Sequence, residues 1–230
     1  HCGGQDLTFP HHENEIAQSE AANGCKFVNY WMHNGFISID NKKMSKSLGN
    51  FFTVREAAEA YGYETIRIFM LAAHYRSPLN YSEESLIQAK NSLQRLYNAV
   101  ENLDFLIKNA ETVSLTPDEE SYIATLDSYK PRFIEAMDDD FNTADALSVI
   151  FELVRDINSA TAAEKQPSKE LASACLKKLT ELTDVLGLLY QRGSDDIAAE
   201  VEELIAKRQA ARKAKNYAEA DSIRDKLRDM

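Results

Sequence analysis

Glycine and proline are scarce in this 230-residue chain, at 8 and 5 residues, and cysteine is scarcer at 3. So few turn-formers argue against an all-β fold, and the abundant Ala, Leu, Glu and Lys favour helices. Cys2, Cys25 and Cys175 are odd in number, unevenly spaced and without a CxxC pair. That excludes a disulfide framework and fits a reducing compartment. No apolar run reaches the roughly 18 residues that span a bilayer, and no signal peptide precedes the motifs, so a cytoplasmic chain with no membrane partner is expected. A net charge of -11 excludes indiscriminate nucleic-acid binding, so any RNA contact must come from a local basic patch. Length and a 44% hydrophobic content allow one to three globular domains. The chain opens at His1, within what reads as a strand-to-helix connection, and a piece of a longer polypeptide is expected.

Against this background one string stands out, Lys43-Met44-Ser45-Lys46-Ser47-Leu48-Gly49-Asn50. Two lysines separated by Met-Ser can set two ammonium groups on one polyanion, while small Ser and Gly residues let the backbone approach and move. A solvated basic turn would account for two lysines but not for the whole string. Thr53-Val54-Arg55-Glu56 follows as a capping box that starts the next helix.

Upstream, Cys2-Gly3-Gly4-Gln5-Asp6 reads as a glycine turn bringing backbone close to a ligand, with Asp6 placed to accept from sugar hydroxyls. An ordinary turn before a helix fits the same residues. Pro10 suits a first helical turn, and a spacing of four puts His11 and Glu15 on one face, with His12 pointing elsewhere. That pair is half of a zinc site, or a surface hydrogen bond. Residues 27–33 and 35–39 are β-rich runs leading to the lysine string, and His33 suits either a core or a nucleotide pocket.

Beyond the string the apolar spacing is helical over 57–73, broken at Tyr61-Gly62-Tyr63, and a loop at 74–81 precedes a long helix from Ser82-Glu83-Glu84 to about Asn109. Tyr75 and Arg76 in that loop suit either a nucleic-acid contact or a staple between layers. Thr116-Pro117-Asp118-Glu119 starts another helix, and helices are expected over 117–137, 142–163, 168–189, 195–213 and 216–229. Asp138-Asp139-Asp140 invites a Mg²⁺ reading, although helix capping explains it as well. Between Lys207 and Arg228 eight basic residues face three acidic ones. This is a phosphate-tracking surface or a solvated helix laced with ion pairs.

Read together, the strings GGQDLTFPHHENEIAQSEA, YWMHNGFISIDNKKMSKSLGNF, FIEAMDDDFNTADAL and the terminal RxxARKAKxxxxADxxRDxL resemble the cysteinyl-tRNA synthetases, a family of class I aminoacyl-tRNA synthetases. The resemblance implies a mainly α chain. It would comprise the end of a Rossmann-type catalytic domain (1–50), a helical stem-contact region (51–112), a helical bundle (113–192) and anticodon-binding helices (193–230). It implies ATP-dependent ligation of L-cysteine to tRNA(Cys) by a monomer, with Mg²⁺ accompanying ATP and one Zn²⁺ per full-length chain selecting cysteine. Lys43 and Lys46 would be catalytic. Together with Ser45, Ser47, Gly3, Gly4, Asp6 and His33 they would bind ATP. His11 and Glu15 would be zinc ligands, the family's other two being upstream cysteines outside this sequence, as is the HIGH-type motif; this piece alone is expected to be catalytically incomplete. Lys207, Arg208, Arg212, Lys213, Asp221 and Arg224 would touch tRNA, with Arg212 and Asp221 best placed to read base edges. Two alternatives remain: a cysteine ligase of mycothiol biosynthesis, whose aminosugar acceptor leaves the terminal basic residues unexplained, and a non-catalytic tRNA-binding module.

Overall fold

Helix starts are written into this chain as reciprocal caps, and the fold uses them. In the computed structural model, which describes residues 1–39, 42–43 by backbone, 53–111, 114–191, 204, 207–208, 216, 219, 221–224 and 226, Thr53 Oγ1 accepts from Glu56 N–H at 3.2 Å. The Glu56 carboxylate accepts Thr53 N–H at 2.6 Å, opening α2 (Val54–Tyr61). Gly62, at φ 83°, turns the chain into α3 (Tyr63–Leu71). Ser82 with Ser85 opens α4 (Glu83–Asn109), and Thr116 with Glu119 opens α5 (Pro117–Leu126). Asn142 caps α7 (Thr143–Ala160) and Ser168 caps α8 (Lys169–Val185).

A long helix expected over 117–137 is two helices, α5 and α6 (Tyr129–Asp138). The cause is local. Thr125 Oγ1 donates to Tyr122 O at 2.6 Å and Ser128 Oγ to Thr125 O at 2.7 Å, so hydroxyls compete for the carbonyls that would continue the helix. Glu119 also works twice. Besides closing the Thr116 cap it accepts Ser168 N–H at 2.8 Å, so one carboxylate serves the N-termini of α5 and α8.

The core lies among α3, α4, α6, α7 and α8. Along α4, Leu86, Ala89, Leu93, Leu96, Ala99, Val100 and Leu103 recur at helical spacing and are buried. They meet Ile150, Leu153 and Ile157 of α7 and Leu171, Cys175, Leu179 and Leu182 of α8. Each large side chain so buried contributes about 1.5–3 kcal/mol. Asp140, within the acidic triplet, accepts from Tyr75 Oη at 2.8 Å and pairs with Arg76 Nη2 at 2.6 Å. Tyr75 and Arg76 therefore staple two layers.

Ahead of the helices lie two small sheets. In the first, β1 (Cys2–Gly4) pairs in parallel with β2 (Met32–Asn34), Gly3 opposite His33. In the second, β3 (Ile37–Ile39) lies between antiparallel β4 (Lys42–Lys43) and parallel β5 (Leu79–Tyr81). Gly3 and Gly4 thus belong to a strand, and the turn expected there begins at Gln5. Residues His1–Leu189 form one compact unit and Tyr190–Met230 a second. The helices expected over 195–213 and 216–229 lie mostly outside the described residues, although Leu204, Lys207, Arg208, Glu219 and Asp221 are helical. None of the described helices is long and apolar enough to cross a membrane.

Candidate metal and nucleotide site

Glu13 begins α1 (Glu13–Asn23), and the chain kinks shortly before it at Phe9, whose backbone is extended at φ -134° and ψ 133°. His12 is 4% exposed, whereas His11 is exposed. One ligand atom from each of His1, His12 and Glu15 lies within 4.8 Å of the others, with His1 Nε2 2.8 Å from the Glu15 carboxylate. His11 lies outside this trio.

Parallel pairing of β1 and β2 builds the trio's surroundings. It sets His33 opposite Gly3, and His12 Nδ1 meets His33 Nε2 at 2.8 Å. That contact orients the His12 ring and leaves its Nε2 for a ligand, as a supporting hydrogen bond does at metal-binding histidines. Trp31 stacks on His33 at an interplanar angle of 5° and approaches His12 and His1, each ring centroid at 5.0 Å. Gly3 makes the seat possible: a Cβ there would lie 2.8 Å from Leu7 Cδ1 and 3.1 Å from His12 Cε1. Beside it, the Asp6 carboxylate folds back against Gly4. Two imidazoles and a carboxylate are a donor set that suits zinc.

Gly3, Gly4, Asp6 and His33, expected at the nucleotide, therefore fall around one strand pair. Lys43 sits on β4 opposite Ser38, which ties the start of the lysine string to β3. Ser45, Lys46 and Ser47 lie outside the described residues. So do Arg212 and Lys213. In the second unit Lys207 is exposed, and Asp221 pairs with Arg224 at 2.9 Å, one turn apart. Sequence reading did not bring His1, His12 and Trp31 together because their meeting depends on a strand pairing some thirty residues apart; the aromatic cluster flanking His33 was the available signal.

The model for the class I (C) tRNA synthetase catalytic domain matches residues 1–91, that for the DALR domain 132–191, and that for the cysteinyl-tRNA ligase anticodon-binding domain 194–230. The cysteine-tRNA ligase of Lachnospira eligens is 56% identical over 227 residues, covering 99% of this chain and 48% of that protein. The chain belongs to the cysteinyl-tRNA synthetase family. Another member, the cysteine-tRNA ligase of Clostridioides difficile, is 53% identical over 230 residues, 100% of this chain and 49% of the relative. The chain thus spans about half the length of the curated relatives it matches. Its fold is shared with other synthetases at low identity. Mycobacterium tuberculosis methionyl-tRNA synthetase bound by methionyl-adenylate superposes with a TM-score of 0.64 at 20% identity, over 81% of this chain and 41% of that one. A LeuRS–tRNA–LeuAMS complex from Agrobacterium radiobacter K84 gives 0.58 at 19% identity, over 82% and 27%.

Proposed function

We propose that the whole protein ligates L-cysteine to tRNA(Cys) at the expense of ATP. The observation that carries this reading is the donor trio of His1, His12 and Glu15 beside the strand pair that precedes the lysine string. In the first step the cysteine carboxylate attacks the α-phosphorus of ATP, a P–O bond forms and pyrophosphate leaves. In the second a hydroxyl of the terminal adenosine of tRNA attacks the acyl carbon and AMP leaves. Such chemistry depends on positioning and charge stabilisation. Lys43 and Lys46 offset the charge growing on pyrophosphate, helped by Mg²⁺, and Ser45 and Ser47 line the same phosphates. Gly3, Gly4, Asp6 and His33 receive the nucleoside.

Zinc, when bound, supplies a soft site that takes a thiolate in preference to a serine hydroxyl, a distinction that packing alone makes only about 10²-fold. Glu15 is one ligand in either of two arrangements: resemblance names His11 as its neighbour, and the geometry gathers His12 and His1. Zinc content of His11→Ala and His12→Ala in the whole protein decides between them, since only the ligand's loss removes stoichiometric metal. Lys207, Arg208, Arg212, Lys213, Asp221 and Arg224 serve the tRNA anticodon. The match of residues 194–230 to an anticodon-binding domain supports tRNA as acceptor over an aminosugar.

The test of the reading is Lys46→Ala in the whole protein. Cysteine-dependent pyrophosphate exchange should fall by on the order of 10² or more, with tRNA affinity retained, as for a contact made in the transition state. Exchange with cysteine left unchanged would remove the lysine string from the chemistry.

A further inference from the structure

Helix α3 is fastened to the bundle at both of its ends. At its end nearer β5, Thr143 Oγ1 donates to Leu71 O at 2.8 Å and Asp140 holds Tyr75 and Arg76. At the other end a single carboxylate makes the connection. Glu64, 3% exposed, accepts the Tyr97 hydroxyl of α4 at 2.7 Å on one oxygen and the backbone N–H of Leu189 on the other. Leu189 is left-handed at φ 62°, a conformation that a residue with a Cβ keeps only where its surroundings impose it. Two residues earlier Gly187, at φ 64°, lies against Arg67, so close that a Cβ would stand 2.9 Å from Nη1. Two neighbouring side chains of α3 thereby hold the backbone of residues 187–189.

That backbone has a particular position in the chain. Leu189 ends the first unit and Tyr190 opens the second, whose match to an anticodon-binding domain begins at residue 194. On its other side α3 joins α2 through Gly62, and the cap of α2 at Thr53 closes the segment that contains Lys46. We propose that Glu64 is a positioning residue for tRNA charging: it fixes the backbone of residues 187–189, from which the chain passes into residues 190–230. The proposal rests on the tRNA-charging reading given above. One ligand held at two places gains from effective concentration only while the link holds those places at the matching span, and loosening the link forfeits that gain without altering either site. Glu64 touches neither site. Its loss should therefore affect substrates that need both ends held and spare those that need one.

Three assays on the whole protein separate these effects: cysteine-dependent pyrophosphate exchange, charging of a minihelix carrying only the acceptor stem and terminal adenosine, and charging of intact tRNA. For Glu64→Ala, kcat/KM for intact tRNA should fall about 10-fold, with exchange and minihelix charging within about two-fold of the parent. Glu64→Gln keeps an oxygen for Leu189 N–H and should recover most of the loss. Because Glu64→Ala empties a buried position, a second variant leaves the packing intact: two glycines inserted between Leu189 and Tyr190 should reproduce the same selective loss. An equal fall in all three assays marks Glu64 as merely structural and overturns the proposal. So does intact-tRNA charging that neither the alanine nor the insertion variant changes. If the parent protein charges neither RNA, the tRNA-charging reading fails and the proposal with it; a failure confined to the variants leaves that reading standing.

Discussion

Between His1 and Ile39 one side chain, His12, is buried, whereas α4 buries seven and α7 another seven. The front segment is held by strand pairing, by rings clustered around His12 and Trp31, and by polar ties such as Ser38 Oγ to Asn80 Oδ1 at 3.1 Å. The bundle is held by apolar burial among helices. Parallel strands are ordinarily covered on both faces, yet β1 and β2 carry exposed or half-buried residues. The difference teaches that stability and chemistry are separated along this chain. Within this span, about half the length of its relatives, the residues proposed to meet metal or nucleotide carry little of the apolar burial and the bundle carries most of it.

Substitutions in the two regions should therefore give opposite signatures. The largest effect on stability belongs to the bundle: Leu153→Ala, at a fully buried position, should cost about 3 kcal/mol, read as a lower urea midpoint at unchanged slope. Next comes Glu119→Ala, which removes one carboxylate from two helix starts and should cost about 1–2 kcal/mol by the same measurement. Burial works to raise the Glu119 pKa, but bonds from Ser168 and Thr116 outweigh it and hold the carboxyl below its ordinary value. The folded state thus prefers the ionised form. Its contribution is complete above the ordinary carboxylate range and is lost as pH falls through the lowered value. Glu119→Gln should make stability less dependent on pH in that acid range, and an unchanged acid profile would count against the double cap.

In the front segment the signature reverses. Gly3→Ala should displace His12 and lower bound zinc well below one per whole protein, while the urea midpoint shifts by less than about 1 kcal/mol in equivalent stability. A large loss of stability there would erase the contrast between the regions. The smallest structural effect is expected at Arg224→Ala, because exposed ion pairs such as Arg224–Asp221 add little. Its readout is tRNA binding: affinity should weaken and the salt slope fall by about one. Unchanged tRNA affinity would leave this pair as surface electrostatics.

Most of the helical architecture was legible in the sequence because it is specified locally. The caps at Thr53, Ser82 and Thr116 and the apolar spacing of α4 each depend on residues within a turn or two. The single helix expected over 117–137 failed where Thr125 and Ser128 redirect hydroxyls to the backbone, a competition that periodicity does not register. The front segment was legible as a set of chemical types but not as an arrangement. Glycines read as a turn are strand residues, and their pairing with residues 32–34 is long-range. His1 and His12 gather beside Glu15 through contacts that helical counting does not register. Glu64 gave no signal at all, since its partners stand 33 and 125 residues away.

The same division of the chain provides a means of timing it. Cys2 and Cys25 are exposed on the front segment, while Cys175 lies fully buried on α8, its thiol pushed up to about 12 by burial and by the charge of Glu119. An alkylating reagent attacks thiolates, so it should modify the first two at once and reach the third only when the bundle opens. Mass spectrometry of a labelling time course would then count two fast additions and one slow addition. The rate of the slow addition is a clock for α8 that requires no engineered label.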